Sequence, residues 1–194
     1  MRQIPEPMAD KLASAAGEFA SSWDDVRIDD IATASGVPRA TLYYYFSSKE
    51  EILGFLLQRV LDDLAAAVTS VDDEGAPVPE RLRAVVKAQL AHLGDNPALA
   101  QLLTSNLGKA SKLPDLAAAI DRAFHRPVRK LLELGGARGE LRPVDPDLAA
   151  TALYGAVTVV GLRQLVFEGH LDADDVTRQL VPMFWTGLQP DRPA

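Results

Sequence analysis

The 194-residue sequence lacks cysteine, which excludes disulfide bonds and thiolate-ligated zinc or iron–sulfur centres. It also lacks a basic excess, because 20 lysines and arginines stand against 27 aspartates and glutamates, for a net charge of −7. The chain therefore cannot bind nucleic acid through its overall charge, and any such binding requires a local patch. No apolar signal core follows Met1, so we expect a cytoplasmic protein.

Patterns typical of enzymes are missing as well. The sequence contains no GxSxG, P-loop or GxGxxG motif, and its paired acids fall at expected turns or on expected exposed faces. The three histidines, His92, His125 and His170, do not form a ligand-like pair with one another. We therefore predict that the protein is not an enzyme and has neither a metal site nor a cofactor.

What the sequence has is helical periodicity, and strand-like alternation is scarce, so we predict an all-α fold. Three short helices are predicted near the N-terminus, over 7–21, 28–35 and 38–45. The capping-box pattern Ser48–Glu51 begins a longer helix over 49–68. After an acidic, proline-containing linker, five more helices are predicted, over 80–93, 97–109, 114–134, 146–168 and 173–188. Pro127 and Pro182 lie inside two of these and are expected to kink them.

The most apolar stretch is 148–166, in which 13 of 19 residues are hydrophobic. A membrane-spanning helix needs roughly 20 predominantly apolar residues. Polar side chains interrupt this stretch, at Thr151, Thr158, Arg163 and Gln164. We interpret it as a helix buried on several sides and predict no contact with a membrane.

The segment Ile28–Phe46 predicts two short helices joined by a turn at Gly36, the layout of a helix-turn-helix. Helical spacing directs Leu42 and Phe46 into a small core with Phe19, Ile31 and Val37. Arg39 stands at the leading end of the second helix, where a guanidinium can bridge O6 and N7 of guanine. Nearby hydroxyl groups and Lys49 can contact phosphates.

These residues also carry a resemblance to a known family. Ile31-Ala32, Gly36-Val37, Thr41-Leu42-Tyr43 and Phe46-Ser47-Ser48-Lys49-Glu50 resemble the DNA-binding signature of the TetR family of bacterial transcriptional regulators. The resemblance implies a three-helix DNA-binding domain over 1–48 and a larger helical ligand-binding and dimerisation domain over 49–194, with helix 49–68 connecting the two. It further implies a repressor that binds a palindromic operator as a dimer and is released by a small, largely apolar effector.

By the same resemblance, DNA contacts fall on Arg39, Ala40, Thr41, Tyr43, Tyr44, Tyr45 and Lys49. The family usually has a hydroxyl residue where this chain has Arg27, so a helix-capping oxygen is lost, although the guanidinium can reach a phosphate instead. Residues 1–50 carry five basic and eight acidic side chains. We therefore expect few phosphate contacts, a shallow salt dependence and weak nonspecific binding.

The resemblance places an effector pocket and a dimer interface in the second domain. Candidate pocket residues on its central helices are Leu103, Asn106, Phe124, Tyr154 and Thr158, each of which could equally be a core residue. The last two helices are implied to pair with a second copy. Their apolar positions are Leu148, Ala152, Leu153, Ala156, Val159 and Val160, and then Val176, Leu180, Phe184 and Leu188. These faces could instead close the core of a monomer.

Two alternatives to a repressor stay open at this point. The acidic balance of residues 1–50 also suits a helical ligand-binding protein or enzyme whose DNA-binding unit is vestigial. An activator would have the same architecture as a repressor.

Overall fold

The computed structural model describes residues 4–19, 22–105 and 114–189. These residues form helices and turns and contain no strand, which confirms the all-α prediction. The chain divides into two compact units: an N-terminal unit, residues 1–60 with 96–117, and a C-terminal unit, residues 61–95 with 118–194. This division falls inside the fourth helix, whereas the sequence predicts a boundary before it.

The N-terminal unit contains α1 (Glu6–Ala15), α2 (Ile28–Ser35), α3 (Arg39–Tyr45) and α6 (Pro97–Ser105). The predicted first helix changes at Ala16 into a 3₁₀ turn that ends at Phe19, and a second 3₁₀ turn covers Trp23–Asp25. α1 packs on α2, and α2 packs on α3. The buried side chains they share are Met8, Leu12, Trp23, Ile31, Val37, Leu42 and Phe46. The predicted core is thus confirmed, except that Phe19 is half-buried and packs edge-on against Trp23.

Helix α4 runs over Lys49–Val71, three residues longer than predicted. Its first N–H groups are capped as the sequence indicates, because the Ser48 hydroxyl accepts a hydrogen bond from the Glu51 N–H at 3.3 Å. The Glu51 carboxylate accepts in turn from the Ser47 N–H at 2.6 Å. Within the N-terminal unit, Arg59 of α4 binds Glu6 and Asp10 of α1, each at 2.7 Å. These contacts explain why the beginning of α4 belongs to the N-terminal unit.

The C-terminal unit is built around α5 (Val78–Asp95), which packs against α8 (Arg126–Ala137), α9 (Pro146–Phe167) and α10 (Ala173–Leu188). Asp145 and Asp172 cap α9 and α10 by accepting hydrogen bonds from N–H groups of the first turn. Apolar residues of α5 fill the centre of the unit: Val78, Leu82, Val85, Val86, Leu90 and Leu93.

The predicted linker after α4 contains a turn at residues 72–77, which a buried ion pair ties to α5. Arg81 of α5 is only 4% exposed, and its Nε and Nη2 lie 2.7 and 2.9 Å from the two carboxylate oxygens of Asp72. The hydrogen bond from Arg81 holds the pKa of the Asp72 carboxyl below its usual value. Breaking this pair would leave a buried guanidinium without compensation, so the turn is firmly tied to α5.

Pro127 has a specific structural consequence, since the predicted single helix over 114–134 is divided. Helix α7 (Pro114–Ile120) leads into a π-helical turn at Asp121–His125, and α8 follows. Proline has no N–H to donate to the carbonyl four residues earlier, which is that of Ala123. The buried Gln89 side chain supplies the missing donor, with Nε2 lying 3.1 Å from that oxygen and 3.4 Å from the Phe124 carbonyl.

Candidate functional site

The turn between α2 and α3 holds these helices in the predicted helix-turn-helix. Gly36 has φ 63° and ψ 21°, a left-handed conformation that glycine adopts without a steric penalty. The buried Ser35 hydroxyl donates to the Ile31 carbonyl at 2.6 Å and accepts from the Val37 N–H at 3.3 Å. The chain therefore enters α3 through a fixed turn.

One face of α3 is anchored in its unit, and the opposite face is open to solvent. Leu42 of α3 and Phe46, the residue directly after the helix, are at most 1% exposed. The six residues of α3 predicted to contact DNA lie on the open face or at its edges: Arg39, Ala40, Tyr43 and Tyr44 are exposed, and Thr41 and Tyr45 are half-buried. The rings of Tyr44 and Tyr45 pack edge to face with centroids 5.0 Å apart. The open face thus presents a guanidinium and phenol hydroxyls to solvent.

The Arg39 guanidinium is already engaged by an acid of α2. Its Nε lies 2.9 Å from one carboxylate oxygen of Asp29, and its Nη1 donates to the other at 3.0 Å. The guanidinium carbon also lies 5.4 Å from the centre of the Tyr43 ring, within the range of a cation–π contact. Arg39 is therefore exposed but held in one orientation. Sequence reasoning missed Asp29, although its position ten residues before Arg39 across a short turn was the available signal.

Lys49 has a different environment from the one expected for a phosphate contact. Its ammonium donates to three backbone carbonyls, those of Trp23, Asp24 and Val26, at 3.2, 2.6 and 3.1 Å. An ammonium has three N–H donors, so these carbonyls use all of them. The geometry favours a role in holding the 23–26 turn onto α4 over direct contact with DNA.

Arg27 precedes α2 and is exposed, and a carboxylate of the first turn of the helix binds its backbone N–H. The Asp30 carboxylate accepts a hydrogen bond from the Arg27 backbone N–H at 2.8 Å. This is the reciprocal half of a capping box. The Arg27 guanidinium has donors only, so it cannot replace the capping oxygen that a hydroxyl residue would supply.

Lys11 of α1 is a further candidate that sequence reasoning did not single out. It lines an open cavity of about 250 Å³ together with Gly36, Pro38 and Thr41 at the beginning of α3. An exposed lysine beside a reading helix is suited to contact a phosphate. The signal in the sequence was an isolated basic residue within an otherwise acidic first helix.

Three of the five predicted effector contacts come together inside the C-terminal unit. Phe124 and Thr158 are buried and Tyr154 is half-buried, and the rings of Phe124 and Tyr154 have centroids 4.9 Å apart. The His125 ring packs edge-on against the Tyr154 ring, with centroids 4.8 Å apart. The side chain of Leu103 and all of Asn106 lie outside the described residues.

This interior group carries polar atoms that the described residues do not satisfy. The Tyr154 and Thr158 hydroxyls and His125 Nε2 are buried, and none has a hydrogen bond of good geometry in the described part of the chain. Burial raises the pKa of the Tyr154 phenol, and the nearby Thr158 hydroxyl acts in the opposite direction. A buried threonine in a helix can satisfy its hydroxyl by donating to the carbonyl four residues earlier, as Thr177 of α10 does at 2.6 Å. The Thr158 hydroxyl makes no such bond within the described residues. The cluster can therefore offer hydrogen bonds to a bound molecule.

Only some of the residues expected to form a dimer surface are exposed in the single chain. Val176, Leu180 and Leu188 of α10 are buried in the single chain, where α10 packs on α5, so these positions close the core of the subunit. Leu153 of α9 is buried in the same way. Large apolar side chains that stay 64–78% exposed define an apolar stripe: Leu148, Val159, Val166 and Phe167 of α9 with Met183 of α10.

This apolar stripe corrects the expectation that 148–166 is buried on several sides. By length and composition α9 could cross a membrane, and only 28% of its most apolar window is buried. Positions 148, 159 and 166 repeat at helical spacing, so they form one continuous face. A soluble protein rarely leaves such a face in water without a partner to cover it.

A cavity of about 310 Å³ in the C-terminal unit is lined by Arg122, Arg126 and Lys130 beside Val68 and Pro127. Each cation lies within 4 Å of a carboxylate, and the partners in order are Asp62, Asp121 and Glu74. Each of these cations is thus paired with a carboxylate, which leaves the cavity without a strong preference for an anion.

Comparisons with known proteins agree with this geometry. Residues 12–54 match the family model of bacterial regulatory proteins of the tetR family, and residues 75–188 match a tetracyclin repressor-like C-terminal domain. The chain is 27% identical over 192 residues to the HTH-type transcriptional repressor KstR2 of Mycobacterium tuberculosis, covering 96% of this chain and 94% of the relative.

Solved structures show the same fold. A Clostridium perfringens protein described as a fatty acid metabolism regulator superposes with a TM-score of 0.80 at 25% identity, covering 93% of this chain and 100% of that one. The regulator FadR of Bacillus subtilis, solved in complex with stearoyl-CoA, superposes with a TM-score of 0.78 at 21% identity, over 92% of this chain and 98% of that one.

Proposed function

Because the chain belongs to the tetR family of bacterial regulatory proteins, we propose that it is a cytoplasmic repressor that binds a palindromic operator as a homodimer and is released by a lipophilic effector. The observation that carries this proposal is the open face of α3, where Arg39 and two tyrosines stand on a helix anchored by Leu42 and Phe46. A helix of this kind fits the major groove and reads base edges from its N-terminal residues.

Specificity and affinity come from different residues in this proposal. Arg39 reads a guanine through its O6 and N7, and the hydroxyls of Thr41, Tyr43 and Tyr44 bind phosphates. Ala40 and Tyr45 fill the groove surface beside them. Arg27 and Lys11 supply the exposed cationic contacts that Lys49, bound to three carbonyls, does not. The small number of such cations predicts a shallow salt dependence of DNA binding.

A homodimer through the apolar stripe of α9 and α10 supplies the second reading helix. An isologous interface buries the same stripe on both copies, which removes the exposed side chains of Leu148, Val159 and Phe167 from water. Two copies related in this way suit half-sites about 34–36 Å apart on one side of the duplex. The operator is therefore an inverted repeat.

The interior cluster of Phe124, Tyr154 and Thr158 is the proposed effector site. Apolar rings with a few unsatisfied hydroxyls favour a lipophilic molecule that has one or two hydrogen-bonding groups. The names of the similar proteins, a fatty acid metabolism regulator and a stearoyl-CoA complex, support a fatty-acyl ligand as the first probe. Complete release from DNA requires the effector to prefer the released form by about 5.5 kcal/mol.

Selection from a library of random duplexes long enough for two half-sites tests the DNA-binding function. The full chain is expected to enrich an inverted repeat with a guanine in each half, and Arg39→Ala is expected to bind the enriched duplex at least about tenfold more weakly. Stearoyl-CoA is then titrated into the complex, and release of the duplex supports the effector class. Failure to enrich any sequence at low salt would refute the reading of α3 and favour a ligand-binding protein with a vestigial DNA-binding unit.

The sign of regulation needs a separate measurement. Transcription from a promoter that contains the enriched duplex is compared with and without the gene for this protein. A repressor lowers the transcript level, whereas an activator with the same architecture raises it.

A further inference from the structure

Asp29 holds the one guanidinium that stands at the leading end of α3. Its carboxylate contacts Nε of Arg39 at 2.9 Å and Nη1 at 3.0 Å, while the Tyr43 ring lies beneath the same group. Asp29 itself sits in the first turn of α2, and its backbone carbonyl accepts a hydrogen bond from Thr33 at 2.9 Å. Two helices therefore fix the direction in which Arg39 extends.

The contact leaves part of the guanidinium available for a base. Arginine has five N–H donors, and its contacts with the Asp29 carboxylate are made at Nε and Nη1. Nη2 carries two N–H donors that do not contact Asp29, and O6 and N7 of guanine accept from guanidinium donors of this kind. Asp29 and a guanine can thus bind Arg39 at the same time, through different N–H groups.

We propose that Asp29 is a specificity-determining positioning residue: it fixes Arg39 for guanine and opposes binding wherever a guanine is absent. This inference rests on the proposed function, since it requires α3 to bind DNA. A guanidinium freed from Asp29 can turn toward a neighbouring phosphate or another base, and it then gains affinity without discrimination. The charge of Asp29 adds to this effect, because an uncompensated carboxylate near the phosphates repels them.

The pairing gives one of the eight acids in residues 1–50 a role in reading DNA. Asp29 is half exposed and makes no buried contact that the fold requires, so a surface ion pair of this kind contributes little to stability. An acid that holds the reading arginine in place lowers affinity for duplexes that lack the guanine more than for the duplex that has it. Its effect is therefore on the ratio of two affinities.

The test uses the full chain, the duplex enriched in the selection above, and the same duplex with the read guanine pair replaced by adenine–thymine. Discrimination is the ratio of the two dissociation constants, measured by fluorescence anisotropy over a range of salt concentrations. Asp29→Asn is expected to reduce this ratio about tenfold. It is also expected to tighten binding to the replaced duplex and to increase the salt slope by about one.

Asp25→Asn is the matched control, because it makes the same charge change at an exposed acid of the same unit that does not contact Arg39. We expect it to shift both affinities equally and to leave the ratio unchanged. Arg39→Lys is the second variant, since it keeps the charge but loses the planar fork, and it is expected to lose discrimination as Asp29→Asn does. In an Arg39→Ala background, Asp29→Asn should have no further effect on the ratio.

A ratio for Asp29→Asn equal to that of the wild type or of Asp25→Asn would overturn the inference and leave the DNA-binding function standing. If the wild-type chain enriches no duplex, the proposed function fails first, and the inference fails with it. Circular dichroism melting of each variant identifies any loss of folding. If Asp29→Asn does not fold, the ratio for Asp29→Ala decides, because alanine is a good helix former and also removes the contact with Arg39.

Discussion

Helices α3 and α9 both leave large side chains in water, and the chemistry around those side chains separates their roles. On α3 the exposed groups are Tyr43 and Tyr44, which carry hydroxyls and stand beside a guanidinium. On α9 they are Leu148, Val159, Val166 and Phe167, which carry no polar atoms. A phosphate-lined groove suits the first face, and an apolar surface of a second copy suits the second.

The two faces also differ in how their helices are held. Helix α3 has seven residues and depends on the Gly36 turn and on Leu42 for its position. Helix α9 has 22 residues, is capped by Asp145 and packs on α5 and α8 along its buried side. A short anchored helix can present a few side chains accurately, whereas a long one can cover a wide interface.

Breaking the α9 face is expected to have the largest effect. Val159→Asp places a charge in the middle of the apolar stripe, where dimerisation would bury it without a partner. We expect the dissociation constant of the dimer to rise about 1000-fold or more, since burying an unpaired charge costs several kcal/mol. Sedimentation velocity over a concentration series measures this shift.

Val71→Asp is the matched control for that variant. Val71 is the exposed valine at the end of α4, 41% exposed and outside the stripe. We expect it to leave the dimer intact. Dimers of Val159→Asp as stable as those of Val71→Asp would show that the stripe is not the interface.

A substitution at Lys49 distinguishes residues that contact DNA from residues that stabilise the unit carrying α3. Lys49→Met removes three charge-assisted hydrogen bonds to the 23–26 turn and is expected to lower the free energy of unfolding by about 2 kcal/mol. Urea denaturation measures the loss, and the salt slope of DNA binding should stay as it is.

Lys11→Met is expected to show the opposite pattern. The exposed Lys11 side chain is available to a phosphate, so its loss should reduce the salt slope by about one and leave the free energy of unfolding unchanged. If Lys49→Met instead reduces the salt slope of DNA binding, Lys49 contacts a phosphate.

At the interior cluster, a substitution is expected to affect ligand binding more than stability. Thr158→Val keeps the shape and removes a buried hydroxyl that lacks a hydrogen bond among the described residues, so the free energy of unfolding should change by less than about 1 kcal/mol. Binding of the fatty-acyl probe should weaken about tenfold, which isothermal titration calorimetry measures.

Thr177→Val provides the control, because the Thr177 hydroxyl is bonded to the Ala173 carbonyl. Its loss is expected to cost about 1 kcal/mol of stability without an effect on the probe. Equal probe affinity for wild type and Thr158→Val would exclude that hydroxyl from the effector site.

The N-terminal unit could be predicted well because its signals are local. The bounds of α2, the left-handed Gly36 and the burial of Leu42 follow from spacing and residue type within one short segment. The same signals identified the open face of α3. They could not show that Asp29 engages Arg39 or that Lys49 faces three carbonyls, because both contacts depend on the packing of separate elements.

The C-terminal unit was harder to predict because its helices are apolar on more than one side. Spacing alone cannot decide whether Val176 or Val159 faces the core, and the structure buries the first and exposes the second. Pro127 indicated a disturbed helix, but the π-helical turn and the Gln89 side chain that satisfies its carbonyls lie far apart in sequence. Contacts between helices decide which side of each helix is buried, and sequence periodicity does not report those contacts.

Guanine methylation interference on the enriched duplex tests the reading of DNA by α3 most directly. Methylation at N7 blocks one of the two acceptors that Arg39 is proposed to bind. The account predicts that methylation of a single guanine in each half-site prevents binding of the wild-type chain and that this interference disappears for Arg39→Ala. Interference that persists unchanged in Arg39→Ala, or that is absent from the wild type, would contradict it.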